Sequence, residues 1–146
     1  MMNEEVNIIM TKDPIHLSPD NTLGEVHKMF EKSRIHHIPI TDDENNLVGL
    51  VTTYDLWKMD KTYDTYKDVK IKDVMRTKLA KISPTDKIGT AAELFLDNRF
   101  HALPVVDGTK LVGLVTSFDV LLYEFRKEYD KPILFEDIYS KGLMVK

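Results

Sequence analysis

Two short stretches carry the residues best suited to chemistry: Gly49-Leu50-Val51-Thr52-Thr53-Tyr54-Asp55 and Gly113-Leu114-Val115-Thr116-Ser117-Phe118-Asp119. In each, branched aliphatics read as a strand, and a Thr followed three residues later by Asp reads as the start of a helix. The hydroxyl and the carboxylate have two uses there. They can close a capping box, satisfying orphan backbone N–H groups and placing negative charge at the positive end of the helix dipole. They can equally hold a ligand, because free N–H groups and a Thr hydroxyl suit a phosphate. A carboxylate repels phosphate but accepts two hydrogen bonds from a vicinal diol. Thr and Asp together therefore fit a ribose phosphate better than a bare anion. Gly49 and Gly113, without side chains in mid-strand, either let another group approach the backbone closely or mark a bulge. Spacing alone leaves capping and ligand binding both open.

The stretch occurs twice because the chain itself repeats. Met10 matches Met75, Ser18-Pro19 matches Ser83-Pro84, Gly24 matches Gly89, Phe30 matches Phe95, and His36 matches His101. Pro39 and Asp42 fall on Pro104 and Asp107; one extra residue in the first copy's loop then shifts the register, and Leu47–Thr52 match Leu111–Thr116. In each copy a short extended piece, PIHLSP or LAKISP, ends at a proline that turns the chain toward a helix. Leu23, Val26, Met29 and Phe30, then Ile88, Ala91, Ala92 and Phe95, follow at helical spacing. Asn21 and Asp86 stand at the N-cap positions, with Thr22 and Glu25 as an alternative capping box. HHIPI and ALPVV read as strands at an edge or beginning at a proline, Asp107-Gly108 as a hairpin turn, and LVGLVT as the strand that returns. The unit is β-α-β-β-α, twice, in the α/β (α+β) class. A copy of this size buries too little surface alone, so the two are expected to pack sheet on sheet about a pseudo-twofold axis with two equivalent clefts. The divisions are residues 8–59 for the first repeat, 60–70 for a polar linker, 71–123 for the second repeat and 124–146 for a C-terminal extension. There EFRKEY continues a helix until Pro132 interrupts it.

Composition narrows the field. A chain of 146 residues, 42% apolar and 30% charged, is globular in composition and long enough for one domain with a real core. The absence of cysteine removes disulfides, thiolate metal sites and thiol nucleophiles, and agrees with a reducing cytosol. The opening MMNEEVNIIM is acidic and lacks a signal-peptide core, and no apolar run approaches the ~20 residues of a membrane span. A cytoplasmic protein with no membrane partner is the expectation. A net charge of −4 and a pI near 5.7 supply no basic footprint, so no nucleic-acid partner is expected. Without a Gly-x-Ser-x-Gly or comparable nucleophile–base motif, no enzymatic activity is expected either.

The twofold β-α-β-β-α unit, the SPD…G helix start, the HIPI and ALPVVD strands, and above all GLVTTYD and GLVTSFD resemble a tandem pair of cystathionine-β-synthase (CBS) domains, a Bateman module. The resemblance spans about Ile8 to Met59 and Ile71 to Tyr123. It implies a stand-alone, non-catalytic regulatory module, commonly a disc-like homodimer, that binds AMP, ADP, ATP, S-adenosylmethionine (SAM) or NAD in its clefts as a regulatory ligand rather than a cofactor. With the resemblance, the ligand reading of Thr and Asp outweighs capping. Asp55 and Asp119 are similar to the family's ribose-binding aspartates, and Thr52 and Thr116 to its phosphate-side hydroxyls. Ile35 and Phe100, with Ile15 and Ala80, match positions lining the adenine pocket; Pro39 and Pro104, in the adjoining strands, are counted with the ligand-binding set. His36, His37 and His101 match positions from which one repeat reaches the phosphates held by the other. Ala102 stands where His37 has its counterpart. Two histidines would then face the ligand at Asp119 and one the ligand at Asp55, making the clefts unequal.

The histidines do not suggest a metal site, because neighbouring strand residues point to opposite faces and no third ligand stands at a suitable spacing. Protonation of His36, His37 and His101 near neutral pH would make phosphate affinity rise as pH falls. Arg34 and Arg99, at helix ends, read as partners of the C-terminal dipole. Trp57 and Met59 read as packing or dimer contacts. The competing function is a constitutive dimerisation or protein-interaction module with empty clefts, in which Thr and Asp only cap helices.

Overall fold

Apolar residues at helical spacing form α1 (Leu23–Ser33) and α4 (Ile88–Leu96), which bury Leu23 and Val26, and Ile88 and Ala91, respectively. The computed structural model describes residues 2–33, 35–97 and 99–129. Neither Asn21 nor Asp86 caps its helix. Each side chain instead folds back to accept the N–H of Ser18 or Ser83 at 2.8 Å, closing the turn that follows the extended piece. Thr22 Oγ1 accepts the Glu25 N–H, while the Glu25 carboxylate is engaged by Asn21, so the alternative capping box is only half made.

The strands form two antiparallel hairpins. β2 (His37–Thr41) pairs with β3 (Leu47–Thr52), and β4 (Ala102–Asp107) pairs with β5 (Lys110–Thr116). The second hairpin turns through Gly108 and Thr109, with Gly108 at φ 63°, a conformation glycine adopts without strain. PIHLSP and LAKISP do not make strands of any length. Leu17 donates to Pro39 O and accepts from Thr41, and Ile82 does the same with Pro104 and Val106, one parallel bridge in each repeat. The missing N–H of each proline thus faces an outer edge that needs few donors. Helices α2 (Thr53–Trp57) and α5 (Ser117–Glu128) follow β3 and β5. EFRKEY continues α5 as far as Glu128; Pro132 and the rest of the extension lie outside the described residues.

Each repeat is completed by the segment that leads into the other. Residues 67–76 run along the first repeat: Lys67 O and Val69 O accept from Gly24 and Leu23 at the start of α1, Ile71 donates to Asn21 O, and Arg76 exchanges two 3.0 Å backbone bonds with Leu50. Residues 2–12 treat the second repeat alike. Met2 O and Glu4 O cap Gly89 and Ile88 at the start of α4, Val6 donates to Asp86 O, and β1 (Thr11–Lys12) adds to the edge of β5. The backbone carbonyls among them do the capping that Asn21 and Asp86 do not. The same exchange explains the mid-strand glycines. A Cβ at Gly49 would fall 2.5 Å from Met75 Sδ, and one at Gly113 would strike Met10 Sδ. Both strands also shift register immediately beyond these glycines, so close approach and bulge occur together.

Two apolar clusters result. Leu23, Val26, Ile38, Ile40 and Val51 of the first repeat enclose Ile71, and Ala91, Leu103, Val105 and Val115 of the second enclose Val6. The segment expected to be a polar linker contains α3 (Tyr63–Tyr66), whose Tyr66 is buried in the first cluster and bonds His27 Nδ1 at 2.6 Å. The hairpin tips join the repeats directly: Leu47 donates to Thr109 O, Leu111 to Asn45 O, and Thr109 Oγ1 to Asn46 Oδ1. The backbone contacts of the two exchanged segments are reciprocal, as a pseudo-twofold relation requires, while α3 belongs to the first repeat alone. Among the described residues no helix is long and apolar enough to cross a membrane. Because Ile71 is fully buried in the core of a repeat to which it is only the lead-out, Ile71→Ala should cost about 2–5 kcal/mol in denaturant unfolding. A loss within about 0.5 kcal/mol, the size expected for a surface change, would refute the exchange.

Candidate functional site

The Thr-x-x-Asp pairs stand at the junctions of β3 with α2 and of β5 with α5. Both close complete capping boxes: Thr52 N–H donates to Asp55 Oδ2 at 2.9 Å and Asp55 N–H to Thr52 Oγ1 at 3.2 Å. Thr116 and Asp119 do the same at 2.8 and 3.2 Å. Each box uses Oδ2 of its carboxylate and leaves Oδ1 out of the cap. Capping and ligand binding are therefore compatible, one oxygen to each.

Two clefts open where the repeats face one another. One, of about 540 Å³, is lined by Asp119, Thr116, Ser117 and Thr11 on its polar side and by Ile15, Ile35, Leu114 and Phe118 on its apolar side. The other, of about 510 Å³, is lined by Thr52, Thr53, Tyr54, Leu50, Arg76, Arg99 and Phe100, with Asp55 buried behind them at 4% exposure. Ile15 and Ile35 thus serve the Asp119 cleft and Phe100 the Asp55 cleft. Ala80 packs against the second apolar cluster and lines neither. Pro39 and Pro104 also line neither: both are buried in their strands, with their carbonyls committed to Leu17 and Ile82. His36, His37 and His101 line both clefts, so the expected division of two histidines against one does not occur. The inequality lies elsewhere.

Asp55 Oδ1 is held by Arg76, through Nη2 at 2.9 Å and Nε at 3.0 Å, and Lys58 Nζ stands 3.6 Å away. Burial pushes the Asp55 carboxyl up, but the Arg76 hydrogen bond, the Thr52 N–H and the Arg76 charge more than offset it and hold the group below the ordinary carboxylate value. Arg76 was not singled out from the sequence. The signal for it is the repeat itself, because Arg76 follows Met75 as Thr11 follows Met10. Arg99 pairs with Asp97 at 3.0 Å and lines the Asp55 cleft rather than only serving its helix end; Arg34 lies outside the described residues. Trp57 is exposed, and Met59 packs on the first apolar cluster.

His37 is driven from its ordinary 6.5 down to about 4, chiefly by burial, then by His101, His36 and Arg76, with Asp55 opposing. It stays neutral near pH 7 and drops out of the expected histidine response to pH.

Two copies of one unit, each setting a capped Thr-x-x-Asp beside a cleft between the repeats, define a two-cleft tandem module. The chain belongs to the CBS-domain family, whose pattern it matches over residues 4–56 and 71–125. The inosine-5′-monophosphate dehydrogenase of Methanocaldococcus jannaschii is 36% identical over 114 residues, which are 77% of this chain and 22% of that enzyme. The chain thus spans about a fifth of the curated relatives it matches in this way. The acetoin utilization protein AcuB from Vibrio cholerae is 27% identical with a TM-score of 0.75, over 88% of this chain and 98% of that one. The CBS domain pair of protein MJ0100, solved with 5′-methylthioadenosine and S-adenosyl-L-methionine, is 26% identical with a TM-score of 0.74, over 86% of this chain and 98% of that one.

The depressed His37 value fixes the sign of a pH effect on stability. Between about 4 and 6.5 the unfolded chain binds a proton that the native one does not, so stability rises with pH across this window and is lost as pH falls through it. His37→Ala, which copies Ala102 of the other repeat, should flatten the fall in Tm between pH 6.5 and 4.5. Identical slopes for the variant and the parent protein would show that His37 is not the group responsible.

Proposed function

We propose that this chain is a non-catalytic regulatory module that binds an adenosine-containing ligand, AMP, ADP or ATP before SAM or NAD, and reports its level through a change in the surface it offers to a second copy or a regulated partner. The observation that carries the reading is the Asp119 cleft. Asp119, with one carboxylate oxygen left over from the capping box, lines a space shared by hydroxyls, histidines and the apolar Ile15, Ile35 and Phe118. Such a cleft offers a diol acceptor, phosphate donors and apolar side chains for a base. The family relationship supports the same class of ligand. Ligand shifts the module only as far as it binds two conformations differently. The helices next to the clefts expose Trp57, Phe118 and Leu121, a surface suited to a homodimer. A cytoplasmic setting, without nucleic acid or membrane as partner, fits the acidic, cysteine-free composition.

A second reading, a ligand-free dimerisation module, is favoured by one fact: both capping boxes are complete on their own. Thermal unfolding separates the two. A ligand at about a hundred times its Kd adds ~2.7 kcal/mol, several degrees in Tm for a chain of this size. AMP, ADP, ATP, SAM and NAD are each tested at millimolar concentration. At least one should raise Tm, and Asp119→Ala should remove the shift at a cost of ~1 kcal/mol in the unliganded protein. No shift for any of the five would favour the ligand-free module.

A further inference from the structure

The repeat makes each cleft a control for the other. Arg76, bound by its backbone to Leu50, corresponds to Thr11, bound to Leu114; Lys58 and Tyr54, three residues and one residue to either side of Asp55, correspond to Leu122 and Phe118 around Asp119. Both cations that hold Asp55 Oδ1 are therefore neutral residues in the other copy. Among the described residues no cationic side chain pairs with Asp119, and none donates a hydrogen bond to its Oδ1. Asp55 is buried to 4% exposure, whereas Asp119 is half-buried and reaches its cleft. The guanidinium is also fixed from other directions, by the backbone pairing of Arg76 and by the Tyr54 ring, whose centroid is 5.9 Å away.

We propose that Arg76 is a built-in occupant of the Asp55 cleft, so that the chain takes a single adenosine ligand, at Asp119. This rests on the function proposed above and adds its stoichiometry and the residues that set it. A diol would have to displace a two-point, charge-assisted contact with a weaker neutral one. Withdrawing Arg76 would also leave a buried carboxylate without its principal counter-charge. Neither cost arises at Asp119, whose Oδ1 no described residue engages. Arg76 thereby decides which of two related clefts binds ribose.

Isothermal titration with AMP, ATP and SAM tests this. The wild-type chain should bind one molecule of whichever ligand it accepts; Asp119→Asn should abolish the binding, and Asp55→Asn should leave it within about twofold. Arg76→Thr with Lys58→Leu, which gives the Asp55 cleft the residues of its twin, should bind two, and adding Asp55→Asn should return it to one. Should that double variant fail to fold, the reverse graft decides the matter: Thr11→Arg with Leu122→Lys moves the occupant to Asp119 and should abolish binding in a protein whose thermal unfolding remains cooperative. Two ligands per wild-type chain, or undiminished binding to a folded reverse graft, would overturn the role of Arg76 while leaving the nucleoside reading intact. No binding of any of the three ligands would remove this inference, and the same silence from ADP and NAD would remove the reading it rests on.

Discussion

The structure depends on an exchange of backbone. Each repeat lacks the caps for its first helix, the outer backbone pairing of its returning strand and one fully buried apolar side chain, and all three come from the ten or so residues that precede the other repeat. Backbone N–H groups at a helix start must find acceptors. Here they find main-chain carbonyls of the exchanged segment, which fixes that segment in register. The neighbouring methionine then lies over a glycine, where any side chain would collide with it. The clefts between the repeats inherit their shape from this arrangement, since Thr11 and Arg76 belong to the exchanged segments.

The capping boxes divide each aspartate between structure and chemistry. One oxygen is committed to the first turn of the helix, which orients the carboxylate, and the other is aimed by that commitment. A pre-aimed acceptor loses little freedom when a ligand arrives. The price is that the same oxygen is open to any cation within reach, and in the first repeat Arg76 and Lys58 are within reach. Burial keeps His37 neutral, so it borders both clefts without adding positive charge to either.

Much of this was legible in the chain before any coordinates. The helices at Leu23 and Ile88, the hairpin at Asp107-Gly108, the Thr-x-x-Asp helix starts and the twofold repeat all have local signals: apolar spacing, turn residues, and identity between copies. What could not be read was non-local. Asn21 and Asp86 have cap-like positions, yet their N–H clients are served by residues 67–69 and 2–4, and nothing near the helices announces that. PIHLSP has the composition of a strand but only one bridge partner. Tyr66 stands in a polar stretch and is nevertheless core, because His27 accommodates its hydroxyl. The histidine count misjudged the asymmetry of the clefts, since all three rings border both. The real difference sits at Arg76 and Thr11, which become site residues only once the exchanged segments are placed.

The exchange also sets an order of assembly on the ribosome. Residues 2–12 are made well before the groups they bind, from Pro84 to Leu114, which are among the last of the described chain to emerge. The first repeat, by contrast, has its completing segment as soon as synthesis reaches Arg76. Domains fold as their parts become available during synthesis, and contacts between distant residues carry the larger closure cost. Folding of the nascent chain therefore begins with the first repeat, and residues 2–12 find their place only once the second has emerged.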